Sequence, residues 1–230
     1  TPYRVDFHEN PRNLGYDGNI RNLVSLAQGR YLLFMGDDDR FVPGALDRFL
    51  AFLGANLDKK YILRSYIVDH GNGSIERFHY LPASQSFPPG EATVSWMFKR
   101  SVTICGFTID RELALAADNE DLDGTLLYQI YLMAEVCLKH PSVYCDFAVA
   151  QAIQTYRQDK PMFGASEAEK DLYTPGSISP DNSINFTKAY FRLTQYLDAR
   201  HGTDLTRSIR IDLSKYAYPF LSIQRKRGIG

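Results

Sequence analysis

The chain has little cysteine, almost no net charge and no long apolar run, and each scarcity excludes something. Cys105, Cys137 and Cys145 are odd in number and lack metal-ligand spacing, so they read as reduced, mostly buried thiols rather than a disulfide frame or a zinc site. Lysine plus arginine (26) nearly cancel aspartate plus glutamate (27), which leaves no overall field to select nucleic acid as a partner. No window approaches the ~18 apolar residues of a transmembrane helix, and "TPYRVDFHEN" lacks the basic-then-apolar pattern of a leader. A Gly-x-x-x-x-Gly-Lys-Ser/Thr phosphate loop is missing too. These absences imply a cytoplasmic protein whose charged chemistry is local.

What is present is apolar and aromatic residues in quantity, 44% and 13% of the 230 residues, enough for one large core. "YRVDFH" alternates as a short strand, and the turn-rich "ENPRNLGYDGN" follows it. Ile20, Leu23, Val24 and Ala27 keep helical spacing, with Gly29 at the C-terminal cap. "RYLLFM" has the continuous apolar character of a strand buried on both faces, and Pro43 with Leu46, Phe49, Leu50 and Leu53 predicts the next helix. "YILRSYIV", "SVTICGFTI" and "SVYCDFAVA" are further strands. A Gly/Pro/Ser-rich stretch with a short hairpin follows the first of them, and Asp110 caps a helix through Ala117. A longer helix starts near Gly124, and helices near 183–200 and 205–222 close the chain. The pattern predicts an α/β domain over residues 1–157, with a mostly parallel sheet flanked by helices, and a loop and helical extension over 158–230 packed on it.

Within this pattern, "YLLFMGDDDRFVPGAL" sets Asp37, Asp38 and Asp39 between a buried strand and a helix, at the end of an α/β sheet where ligands bind. Adjacent carboxylates repel each other unless a cation or backbone donors neutralise them. A hard divalent ion, Mn²⁺ or Mg²⁺, suits such oxygens; helix capping by one Asp is the plainer alternative, and it does not account for all three. A second acidic junction, "DNEDLDG", offers Asp121 and Asp123 as a general base, or as helix caps.

The run "NLGYDGNIRNLVSLAQGRYLLFMGDDDRFVPGAL" resembles the family-2 glycosyltransferases of GT-A fold, which move a sugar from a nucleoside diphosphate donor to an acceptor. The resemblance covers residues 5 to 55, is weaker over 95 to 157, and in the C-terminal part is similar to the abequosyltransferases of bacterial surface polysaccharide assembly. It implies a Rossmann-like GT-A domain whose first strands precede position 1 or are absent. It also implies an inverting, metal-dependent transfer to a glycan or polyprenyl-linked acceptor in O-antigen or capsule synthesis. By the same resemblance Asp38 holds the metal, with Asp37 and Asp39 beside it, and Gly36 stands where the family has a carboxylate. Asn13, Gly15, Asn22, Asp37 and Arg157 then face the nucleotide sugar, Trp96 and Gly106 the acceptor, and Asp121, ahead of Asp123, is the base. The basic, aromatic tail "SKYAYPFLSIQRKRG" has the composition of a segment lying on the inner face of the membrane. Two rival readings are a non-catalytic module that binds a sugar nucleotide or glycan, and a metal-dependent nucleotidyltransferase.

Overall fold

A computed structural model describes residues 5–153, 163–176 and 179–214. Seven strands form one sheet: β1 (Tyr31–Leu33), β2 (Arg40–Phe41), β3 (Tyr61–Asp69), β4 (Ile75–Phe78), β5 (Gln85–Phe87), β6 (Phe107–Asp110) and β7 (Ser142–Ile153), with spatial order β1-β6-β3-β7-β2. Strand β4 extends the sheet beside the far half of β3, and β5 pairs with the start of β7. Helices α1 (Gly15–Leu26), α2 (Ala45–Gly54), α3 (Glu91–Met97), α4 (Arg111–Ala116), α5 (Tyr128–Lys139), α6 (Pro180–His201) and α7 (205–214) surround it.

The sheet is mixed, which corrects the expectation of a mostly parallel one. Among the described residues only β3 with β7 pairs in parallel, and β6 enters between β1 and β3 running against both. Continuous apolar runs mark burial on both faces, and burial says nothing of strand direction. The strand expected at "YRVDFH" is missing from residues 5–8: Val5 and Phe7 are 87% and 86% exposed, and no described strand pairs with them. "SVTICGFTI" is only half strand, because the chain first winds through 3₁₀ turns at Phe98–Ser101 and Ile104–Gly106. Helix α1 begins five residues before Ile20 and is capped at Ala27 rather than Gly29, and α5 begins at Tyr128, past a 3₁₀ turn at Glu120–Leu122. Asp110 does cap its helix, accepting from Leu113 N at 3.3 Å.

The core lies between the sheet and α5, where Ile130, Tyr131, Leu132, Met133 and Ala134 are fully enclosed. Leu193 and Leu197 of α6 and Leu205 and Ile209 of α7 enter this same cluster. Glu135 of α5 adds an electrostatic tie, receiving Arg200, His201 and Lys139 on one nearly buried carboxylate. All three cysteines are free and buried, as their number and spacing imply. Among the described residues no helix is long and apolar enough to cross a membrane.

Candidate active site

Beyond β1 the chain leaves the sheet and closes a turn over residues 36–39. Asp39 N donates to the Gly36 carbonyl at 3.2 Å, and Gly36 N donates back to Asp39 Oδ2 at 2.7 Å. A Cβ at Gly36 would lie 3.0 Å from both Asp38 Oδ1 and Asp39 Oδ2, tighter than an ordinary contact. Glycine at this position therefore lets two carboxylates lean over one backbone atom, where a side chain would push them apart. Asp37 and Asp38 are exposed, whereas Asp39 is half-buried and its charge adds to the burial that pushes the Cys105 thiol up. The three do not converge into a cage: among the described residues no group of three or more His, Cys, Asp or Glu is placed to hold a metal. Asp39 is already engaged by the Gly36 N–H.

The second cluster lies along α1, in a cleft of about 420 Å³ lined by Asn13, Gly18, Arg21, Asn22, Asp118 and Asp123 among others. Three residues singled out in the sequence thus meet there, and Asp37, Asp38 and Asp39 do not line it. Asn13 Oδ1 accepts from Gly15 N at 2.9 Å and so shapes the entry to α1, while Asn22 Nδ2 donates to Asn10 Oδ1 at 2.7 Å and ties the preceding loop to the helix. Arg21 holds the acidic loop across the cleft, with Nε 2.7 Å from Asp118 Oδ1 and Nη1 3.0 Å from Asp123 Oδ2. Burial raises the Asp123 carboxyl above its ordinary range against the opposing pull of Arg21, and its Oδ1 is buried without a partner. Asp121 is exposed and does not line the cleft; its carbonyl receives Arg192.

Sequence reasoning missed Asp17, Arg21, Asp118 and Glu169. Asp17, one turn before Arg21, is buried and reaches across to the start of α5, accepting from Leu126 N at 2.8 Å and Tyr128 N at 3.0 Å. Glu169 covers the first turn of α1, with Oε1 2.7 Å from Tyr16 N and Oε2 2.8 Å from Gly164 N. The available signal was an i, i+4 pair of charges, Asp17 and Arg21, on a helix whose apolar face is already taken by Ile20 and Val24.

Two glycines fix how the 163–176 segment docks. Gly15 (φ +73°) is so close that a Cβ would meet Ser166 Oγ at 2.5 Å, and at Gly124 (φ +86°) a Cβ would meet the Ala168 carbonyl at 2.3 Å. Gly124 adjoins Asp123, so this packing also sets the acidic loop. Gly124→Ala is expected to cost roughly 2–4 kcal/mol in chemical denaturation, from the left-handed backbone and the clash together.

Gly106 is buried beside the Tyr66 ring, next to Cys105 and thus to the acidic turn. Trp96 is elsewhere: it stacks on Phe87 with ring centres 4.6 Å apart, faces Tyr144 edge-on, and carries the Arg100 guanidinium 4.3 Å over its ring. Arg157 and the residues of the basic tail after Ser214 lie outside the described residues.

No curated protein matches the chain. Residues 1–111, which carry α1, the acidic turn and β6, match the family model for Glycosyl transferase family 2, a similarity that covers just under half of the chain and supports a glycosyltransferase.

Proposed function

We propose that the protein is a metal-dependent, inverting glycosyltransferase of hexosyltransferase type. It moves a sugar from a nucleoside diphosphate donor to a glycan or polyprenyl-linked acceptor in surface polysaccharide assembly, in the manner of the abequosyltransferase-like subgroup. The observation that carries this reading is the acidic turn beyond β1, inside the stretch that matches the family. Two carboxylate oxygens, from Asp38 and Asp39, lie equally near one point over Gly36. That donor set fits a hard cation which takes one or two carboxylates and fills its remaining positions with water and phosphate oxygens. When bound, such an ion stabilises the charge that develops on a diphosphate leaving group.

The chain's own residues do the rest. Asn13 and Asn22 give the cleft beside α1 its polar lining, from which the donor is oriented. Asp123 takes the acceptor hydroxyl's proton on its carboxylate, a role supported over Asp121 by its place in the cleft and its burial-raised basicity. Arg21 fixes that carboxylate's direction and keeps it ionised before the proton arrives. The segment 163–176 completes the wall through Glu167 and Ala168. The tail after Ser214 brings the enzyme to the membrane that presents a lipid-linked acceptor, and the protein works at the cytoplasmic face.

Donor hydrolysis tests the reading. With Mn²⁺ present, slow release of nucleoside diphosphate from one donor is expected in the wild type and lost in Asp38→Ala. A sugar-nucleotide-binding module would release none in either.

A further inference from the structure

Asp118 follows helix α4 and belongs to no element, yet both sides of it are fixed. Its N–H donates to the Leu115 carbonyl at 3.1 Å, continuing the last turn of α4. Tyr128 of α5 donates its hydroxyl to Asp118 Oδ1 at 2.9 Å and accepts the Asn119 N–H at 3.2 Å. Tyr131 of the same helix donates to the Ala117 carbonyl at 2.9 Å. Both tyrosines are only 1% exposed, so the loop is anchored to the core on this side.

The other side of Asp118 meets Arg21 of α1 in a fork, Nε to Oδ1 at 2.7 Å and Nη2 to Oδ2 at 3.3 Å. Two bonds between two planar groups fix the plane of the guanidinium, which one bond would leave free to turn. The remaining nitrogen, Nη1, reaches Asp123 Oδ2 at 3.0 Å. Each of the three guanidinium nitrogens thus donates to a carboxylate. Arg21 lines the cleft as a clasp between two acids, not as an open cation for a diphosphate.

We propose that Asp118, anchored to α5 by Tyr128, is a positioning residue: it sets the plane of Arg21 and, through Arg21, the direction of the Asp123 carboxylate. The chain of contacts runs from the enclosed Tyr128 through Asp118 and Arg21 to Asp123, and so carries the rigidity of the core out to the cleft. That this serves sugar transfer rests on the glycosyltransferase reading; the order of the four side chains does not. The charged groups about Asp123 are Arg21 and Asp17 of α1 and Asp118 and Glu120 of its own loop, with Arg12 and Glu167 lining the same cleft. Loss of the Asp118 charge therefore acts on Asp123 in two opposed ways. Removing a neighbouring anion makes Asp123 easier to ionise, whereas releasing Arg21 takes away its cation and makes it harder. A positioning role requires the second effect to win.

The experiment is a ¹³C NMR titration of the whole chain labelled at the aspartate carboxyls, with the Asp123 resonance identified by its loss in Asp123→Asn. Asp118→Asn is expected to move the Asp123 midpoint up by about half a pH unit or more, and to move it down or not at all in an Arg21→Met background. A midpoint that falls or stays in Asp118→Asn alone, or rises equally in both backgrounds, overturns the proposal. Tyr128→Phe alters no charge, because burial keeps the phenol neutral, and is expected to move the midpoint up by a smaller amount. No movement there overturns the anchoring by Tyr128. The Asp118 side chain is 51% exposed, so Asp118→Asn is expected to melt within about 4 °C of wild type. Should Tyr128→Phe fail to fold, the Asp118→Asn and Arg21→Met pair decides by itself. In sugar transfer, Asp118→Asn is expected to lower kcat at least about tenfold with KM for donor and acceptor within about threefold. An unchanged kcat overturns the role in transfer, whereas a wild type without transfer sinks the glycosyltransferase reading and leaves the NMR midpoints to decide the order of the four side chains.

Discussion

Asp123→Asn is expected to lower the rate of sugar transfer by roughly 10²- to 10⁴-fold, the usual worth of a positioned general base, while the protein stays folded. The substitution keeps the shape of the side chain and an oxygen for Arg21 Nη1 while removing the proton acceptor. Asp121→Asn, two residues away but exposed and outside the cleft, is expected to stay within a few-fold of wild type. The pH profile gives an independent reading. A base works deprotonated, and burial raises this carboxyl's pKa, so activity declines as pH falls through that raised value. Arg21 pulls in the opposite direction, so Arg21→Met is expected to move the acid limb to higher pH. Full transfer activity in Asp123→Asn would remove the residue from the chemistry.

The largest stability effect is expected at Asp17. Its two carboxylate oxygens separately receive Leu126 N and Tyr128 N, and Leu126 is held in the left-handed region at φ +61°. Asp17→Ala leaves both N–H groups buried and unmet, at about 1–3 kcal/mol each, so a loss of roughly 2–5 kcal/mol is expected in urea or guanidinium denaturation. The carboxyl itself is pushed up to about 6, because burial outweighs those two backbone bonds. Its unfolded value is lower, so between about pH 4 and pH 6 the folded state binds the extra proton and stability falls as pH rises. The drop attributable to this group is at most about 3 kcal/mol. Asp17→Asn is expected to be less stable than wild type above pH 6 yet to lack this part of the slope. An unchanged slope would show that Asp17 is not the titrating group.

Much of the framework was legible because burial leaves a periodic trace. "YILRSYIV" and "SVYCDFAVA" became β3 and β7, the central parallel pair, and Asp110 was placed at its helix cap from residue type alone. Strand direction was not legible: β6 runs antiparallel between β1 and β3 for reasons of chain path that no local pattern encodes. The carboxylate run of 37–39 announced itself by its cost, whereas Asn13 and Asn22 were named through the family resemblance and Asp123, behind Asp121, from the acidic junction before a helix. Arg21 and Asp118 stayed hidden because each reads locally as a solvated charge; only the fold sets them 97 residues apart in sequence and 2.7 Å apart in space. Arg64 was hidden more deeply, since an arginine inside an apolar strand run carries no local sign that the fold buries it completely.

The central claim is that the acidic turn after β1 receives a divalent cation and, with it, a nucleoside diphosphate. Thermal unfolding of wild type and Asp38→Ala with UDP, GDP, CDP or dTDP, each with and without Mn²⁺, tests it most directly. One nucleotide at about a hundred times its Kd is expected to raise the melting temperature of wild type by roughly 5–10 °C only when Mn²⁺ is present, and to leave Asp38→Ala where it was. A shift that survives in Asp38→Ala, or the lack of any shift in wild type with all four nucleotides and Mn²⁺, would contradict the account.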